Sequence, residues 1–415
     1  MGRKINAGER FEFIEGMRGI AAIMVLLGHY CSAFLPAFAR VAKTPPHFSW
    51  ETWITGTPVF SLINGTVAVY MFFTMSGFVL AGSFTKSNFG IPSQIAKRFL
   101  RLYPPIVCSV IFATLLLWSM PSVHADAARV SMSSWLAGLS LDPFTPHSFF
   151  GEALLSSMLT GYGGASIFDH TPYLKDVFPL TPFSIAANIP LWSLHAEFWG
   201  SMLVIALSAI YRRLPRPAFW LVFVVLLFVT GTSKYSLFLA GFAAYMGRHR
   251  LLCRNSAQWS TVGYALLGLG VTLSFTRYYQ QFQLVLDVLA KVNLTKSVDG
   301  AQFQFSVAAL ATLLGLCITP SCRSFLCSRV PMWFGKISFS LYLTHFPILF
   351  TVASAVVTIA ARHLGYGGSI ALSCAIAWPL TFFVASVYER FIDQPSIAFS
   401  KLAAERRSTR SAPAS

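Results

Sequence analysis

Arg18 and His29 stand eleven positions apart in the stretch FIEGMRGIAAIMVLLGHY. At about 100° per residue, eleven positions make three turns plus roughly 20°, so a helix presents both side chains on one face. The rise between them is about 16 Å, half the roughly 30 Å hydrocarbon thickness of a bilayer. Ala22 and Val25 lie between them on that face and leave room. An arginine at a membrane surface can hold an anion, and an imidazole near the membrane's middle can take a proton from a hydroxyl. The plainer reading of His29 is a hydrogen-bonded histidine between helices. Glu15, three residues before Arg18, is placed to pair with it.

Further groups of the same kind follow. KRFLRLYPP carries Arg98 and Arg101 at i, i+3, on one helix face, with Tyr103 and then Pro104–Pro105. Guanidinium forks suit phosphate oxygens, although cations here also serve as ordinary membrane anchors. The prolines are expected to open the next span, since Pro is tolerated in a first turn. LWSLHAEFWG brings Trp192, Ser193, His195 and Glu197. Glu197 is expected to face the helix bundle as a proton acceptor or as the partner of a cation, with His195 nearer the surface. Ser193, His195 and Glu197, at i, i+2, i+4, spread over different faces and make no Ser-His-acid triad. KISFSLYLTHFP places Tyr342 and His345 on one face; His345 either serves catalysis or, as expected here, bonds a neighbouring helix. In TMSGFVLAG, Ser76, Gly77 and Gly82 permit close helix packing. YERFIDQP offers Glu389, Arg390 and Asp393. No HExxH, CxxC, Walker or GxGxxG pattern is present, so neither a metal site nor nucleotide binding of those kinds is expected.

The elements that must position these residues are transmembrane helices. The chain has 415 residues, 55% hydrophobic and only 11% charged, against about 25% charged in soluble domains. That excludes a water-soluble globule and a disordered chain. The expected fold is an all-α, polytopic transmembrane bundle of about ten spans, at 19–38, 60–83, 104–122, 190–211, 217–232, 235–247, 260–276, 303–320, 337–361 and 367–388. With the N-terminus in the cytoplasm, alternation of ten spans puts 22 of the 31 Lys and Arg residues inside. Orientation thus explains most of the net charge of +16, and nucleic acid is not an expected partner. Seven scattered cysteines argue against a disulfide framework. The first span, with His29 inside it, is not expected to be a cleavable signal. Within a domain spanning 11–397, the segment 123–189 is expected to be a long extracytoplasmic loop. Its Asp126, Asp142, Glu152, Asp169 and Asp176, with Trp135, Phe144, Phe149, Phe150, Tyr162 and Tyr173, suit a sugar-like acceptor or simply pack over the bundle. Tyr162-Gly163-Gly164 suggests a tight turn. The tail 398–415 is basic and expected to be disordered.

Six motifs in order, Arg-x10-His (Arg18, His29), FxxSGFVL (Phe73 to Leu80), RFLRLYPP, LWSLxxE, SLYLTHFP and YERFIDQP, make the chain similar to the acyltransferase-3 family of integral membrane acyltransferases. The resemblance covers roughly 11–397 and is to the stand-alone form, without an appended esterase-like domain. Phe198, Trp199 and Gly200 follow the LWSLxxE block where the family usually has polar residues. The resemblance implies an acyl-CoA donor, usually acetyl-CoA, on the cytoplasmic side. It implies a hydroxyl acceptor, usually a glycan or glycolipid of the cell envelope, and a bacterial inner (plasma) membrane with both termini cytoplasmic. Arg18, Arg98 and Arg101 then hold the CoA phosphates, His29 is the general base and Glu197 orients it or relays its proton. Glu15, Ser76, Tyr103, Trp192, Tyr342 and His345 are possible supporting residues, and Ser76 or Tyr342 could carry a covalent acyl group. The rival class is a solute or proton-coupled transporter, which also buries His and Glu but binds no acyl-CoA.

Overall fold

A computed structural model describes residues 11–41, 44–87, 89–138, 145–170, 180–231, 233–253, 256–291 and 299–411. Helix α1 covers Glu12–Phe34, α2 Gly65–Thr85, α3 Ile91–Ser119, α4 Val123–Ser131 and α5 Ser134–Ala137. Further along the chain come α6 (Trp192–Arg213), α7 (Arg216–Thr230), α8 (Tyr235–Met246), α9 (Ala257–Phe275) and α10 (Tyr279–Lys291). The chain ends with α11 (Gly300–Ile318), α12 (Arg329–Ile348), α13 (Ser354–Tyr388) and α14 (Gln394–Ser411). Among the described residues there is no β-strand, only an isolated bridge between Tyr162 and Thr181.

All ten apolar stretches fall on helix. Six helical runs are long and apolar enough to cross a membrane: Glu12–Phe34, Gly65–Thr85, Ile91–Ser119, Ile189–Arg213, Gly300–Ile318 and the 77-residue run Arg329–Glu405. That last run is broken at Gly365, where φ is +67°, a conformation that costs glycine little and other residues more. Helices α7 and α8, of 15 and 12 residues, are shorter than a full crossing requires.

Three local expectations change. Pro104 and Pro105 do not open a helix; they lie inside α3, which begins at Ile91. Each proline removes the donor to the carbonyl four residues back, and a bundle tolerates this because neighbouring groups can serve the freed backbone; separately, the Tyr388 hydroxyl donates to the Pro105 carbonyl. The segment 123–189 is not a structureless loop. It holds α4, α5, a helix at Pro146–Gly151 opened by a Thr145–Ser148 capping box, and a π-helical stretch, Glu152–Thr160. Its expected turn is present: the amides of Ala165 and Ser166 both donate to the Tyr162 carbonyl, and Gly164 has φ +85°. Asp142, Phe144, Tyr173, Lys175 and Asp176 lie outside the described residues. The basic tail is helical through Ser411, because its Ala, Leu, Glu, Lys and Arg residues are strong helix formers.

The chain divides into two compact units. One comprises Met1–Val25, Asn64–Ile91 and Gly200–Lys336; the other comprises Leu26–Ile63, Pro92–Trp199 and Ile337–Ser415. The first is built on small-residue crossings. A Cβ on Gly77 of α2 would collide with the Phe238 carbonyl of α8, and one on Gly241 would collide with the Thr74 carbonyl. Without a hydrophobic drive between helices in lipid, such close backbone approach supplies packing energy. Gly77 therefore packs, as its small neighbours suggested. Gly241→Val is expected to lower the thermal midpoint of the detergent-solubilised protein by several degrees, whereas Gly268→Ala, whose added methyl meets nothing within 4 Å, leaves it unchanged or raises it. Scanning fluorimetry checks both.

Candidate active site

The second unit brings His29 and His345 together. His29 Nδ1 lies 2.8 Å from His345 Nε2, and the two rings are nearly parallel, 4° apart. His345 Nδ1 lies 2.9 Å from the Leu341 carbonyl, one turn back on α12. A carbonyl only accepts, so His345 carries its proton on Nδ1 and donates it to Leu341. In the neutral ring Nε2 is then an acceptor, and the proton shared with His29 belongs to His29 Nδ1. The consequence is chemical: neutral His29 has its lone pair on Nε2, and no described residue hydrogen-bonds that atom. A base whose second nitrogen is fixed by an orienting partner is the arrangement proton abstraction requires.

Aromatic rings frame this base. Trp135 stacks on His29 at 5.7 Å between centroids, and Phe346 meets it edge-on at 5.4 Å. Trp135 is carried by α5, whose N-cap Ser133 accepts from the Leu136 amide and donates to the Ser32 carbonyl at 2.7 Å, three residues beyond His29. His29 is half-buried and His345 fully buried.

Pro347 explains the polar residues beside the pair. It has no N–H, so the Leu343 carbonyl, four residues back, loses its helical donor. Ser109 Oγ and Asn188 Nδ2 donate to that oxygen instead, each at 2.8 Å. Asn188 also donates to Ser109 Oγ at 2.8 Å. Its backbone amide goes to Glu152, which also accepts from the Ala187 amide at 2.7 Å and the Tyr162 hydroxyl at 2.9 Å. Burial pushes the Glu152 carboxyl above the ordinary carboxylate range, while these three donors pull the other way. Glu152 is therefore a brace inside the fold and does not face an acceptor. Asp126, by contrast, is half-buried and pairs with Arg129. The Tyr342 hydroxyl donates to the Pro190 carbonyl at 2.7 Å and lies 2.6 Å from Ser193 Oγ.

The arginines pair with acids, which is the cation-partner alternative for Glu197. Arg98 pairs with Glu197, and Arg101 pairs with Asp393 of the YERFIDQP motif while lying over the Phe339 ring. Glu197 thus holds Arg98 and makes no hydrogen bond to His29, whose orienting partner is His345. His195 is buried rather than near the surface: its Nδ1 lies 3.2 Å from the Met158 carbonyl, and its Nε2 accepts from the Ile167 amide at 3.1 Å. Tyr103 donates to the Leu154 carbonyl at 3.0 Å, and Trp192 starts α6. Arg18, Glu15 and Ser76 belong to the first unit. Glu15 is exposed, and the described residues contain no Glu15–Arg18 ion pair. No group of three or more His, Cys, Asp or Glu side chains able to hold a metal occurs among the described residues.

Sequence reasoning did not find Asn188 or Ser109. The available signal was a polar residue two positions before Pro190 in SIAANIPLW, where an apolar chain turns into a helix. The His29–His345 contact joins residues 316 positions apart, which no helical spacing can show.

The Arg98 and Glu197 side chains are only 15% and 13% exposed, so removing one partner breaks a largely desolvated ion pair. Arg98→Ala or Glu197→Ala alone is expected to cost about 3 kcal/mol of stability, and the double replacement by leucine to regain most of it. A thermal double-mutant cycle measures this directly.

A family described as "Acyltransferase domain", the acyltransferase-3 family, matches residues 11–382. The O-acetyltransferase PaAT-1 of Phomopsis amygdali is 23% identical over 464 aligned positions, covering 95% of this chain and 84% of the relative. No solved structure matches significantly. With a family match running from the start of α1 into α13, the chain belongs to the acyltransferase-3 family.

Proposed function

We propose that this protein is an integral membrane O-acyltransferase that moves an acyl group, in the first place acetyl, from cytoplasmic acyl-CoA to a hydroxyl of a glycan or glycolipid. The observation that carries the reading is the proton order of the Leu341–His345–His29 chain, which leaves His29 Nε2 as a base. The relative's description as an O-acetyltransferase supports acetyl as the group. The half-buried Trp135 ring over His29 supports a carbohydrate acceptor, since an aromatic face suits the apolar face of a sugar.

The reaction follows from these groups. His29 Nε2 takes the proton of the acceptor hydroxyl as that oxygen attacks the thioester carbonyl carbon. The imidazolium so formed keeps its Nδ1–H on His345 Nε2, a charge-assisted hydrogen bond backed by the Leu341 carbonyl. The tetrahedral intermediate then expels the thiolate, breaking the C–S bond, and His29 Nε2–H returns the proton to sulfur. The products are the O-acyl ester and free CoA thiol. Arg98 and Arg101 bind the donor's phosphates; each guanidinium has five N–H donors, so a carboxylate partner does not exhaust it. The termini lie in the cytoplasm in this reading.

Incubation of the purified protein with labelled acetyl-CoA and a glycan-bearing membrane extract tests the reading. His29→Ala is expected to lower transfer about 10²–10⁴-fold, the usual worth of a general base. His345→Ala is expected to lower kcat with little change in the KM for acetyl-CoA, because it orients the base without touching the donor. Near-normal transfer by well-folded His29→Ala protein contradicts the mechanism.

A further inference from the structure

The orientation of the Asn188 amide is decided by its surroundings. The Leu343 carbonyl, deprived of a helical donor by Pro347, can only accept, so the Asn188 group facing it at 2.8 Å is the NH2. Ser109 Oγ gives its one proton to the same carbonyl and accepts the second Asn188 hydrogen. Flipping the amide would set Oδ1 against the Leu343 oxygen. Asn188 Oδ1 is therefore committed to another direction. It is fully buried, and no described residue donates to it. Ser340 Oγ, three residues before Leu343 on the same face of α12, is likewise buried without a partner among the described residues. A buried acceptor left without a donor is costly and rare, and each one asks for an explanation.

We infer that Asn188 Oδ1 is the acceptor for an amide N–H on the pantetheine arm of the acyl donor, the amide nearer the sulfur. Position along the helices supports this. Ser109, which Asn188 touches, is eight residues beyond Arg101 and eleven beyond Arg98 on α3, a rise of about 12 and 16 Å. Leu343, its other partner, is two residues before His345, a rise of about 3 Å. Asn188 thus stands near the level of the base and an extended arm's length from the arginines. In the donor, the sulfur-proximal amide nitrogen is two carbons from the thioester sulfur. The inference rests on the acyl-CoA reading above. A hydroxyl of the acceptor offers the same hydrogen-bond chemistry, and the test separates the two sources.

The test is calorimetric titration of the full-length protein with acetyl-CoA and with an analogue whose sulfur-proximal amide N–H is replaced by an ester oxygen. Wild-type protein is expected to bind the analogue about tenfold more weakly, the worth of one buried hydrogen bond. Asn188→Ala is expected to bind both equally. Ser109→Ala loosens the same network but keeps Oδ1, so the tenfold preference should persist. Equal binding by wild-type protein overturns the inference without needing any variant, and a preference retained by Asn188→Ala does the same. Equal binding of donor and analogue by wild-type protein, together with an Asn188→Ala effect only on the KM for the acceptor, assigns Oδ1 to the acceptor and overturns the donor assignment. If wild-type protein binds no acetyl-CoA at all, the acyl-CoA reading falls and takes this inference with it.

Discussion

A backbone carbonyl can accept a hydrogen bond but never give one, and two such oxygens on α12 set the polarity of the whole second unit. Leu341 directs the proton of His345 to Nδ1, and through it the proton of His29 to Nδ1. Leu343, freed by Pro347, directs the amide of Asn188 and the hydroxyl of Ser109. Both consequences arise within the seven residues Leu341 to Pro347, where proline and histidine are poor choices for an ordinary helix. In a bundle with so few polar groups, each fixed acceptor propagates order to the donors around it.

The rest of the second unit holds these donors and acceptors in register. Glu152 gathers two amides and a tyrosine hydroxyl, so the turn carrying Asn188 is tied to the segment before it. Arg98 and Arg101 are each matched to a carboxylate from a different part of the chain, Glu197 and Asp393. Charges in such a place survive only when paired. With 11% of residues charged, the chain concentrates paired charges where an anionic substrate is proposed to dock. In the first unit, Gly77 and Gly241 let α2 and α8 approach to backbone contact, so its cohesion depends on shape more than on polarity.

Much of this was legible in the sequence. Hydropathy located helix at all ten apolar stretches, because burying backbone in lipid leaves little choice but helix. The eleven-residue spacing of Arg18 and His29 marked α1 as the helix that carries the proposed base. The motifs named Glu197, Tyr342 and His345. What spacing could not provide was partnership between helices: that His345 orients His29, that Glu197 serves Arg98, and that Asp393 serves Arg101. Pro104 and Pro105 misled because a packed bundle tolerates proline inside a helix as well as in its first turn. The 123–189 segment misled because its glycines and prolines cap short helices instead of preventing them.

The direct test of the central claim is the position of the imidazole protons. Nitrogen-15 NMR of the histidine-labelled protein, with His29→Gln and His345→Gln used for assignment, reports which ring nitrogen carries hydrogen. The proton chain from Leu341 requires neutral His345 and neutral His29 both to be protonated at Nδ1, with His29 Nε2 bare. A His29 ring protonated at Nε2 in the neutral form would leave no base facing the acceptor and would contradict the mechanism.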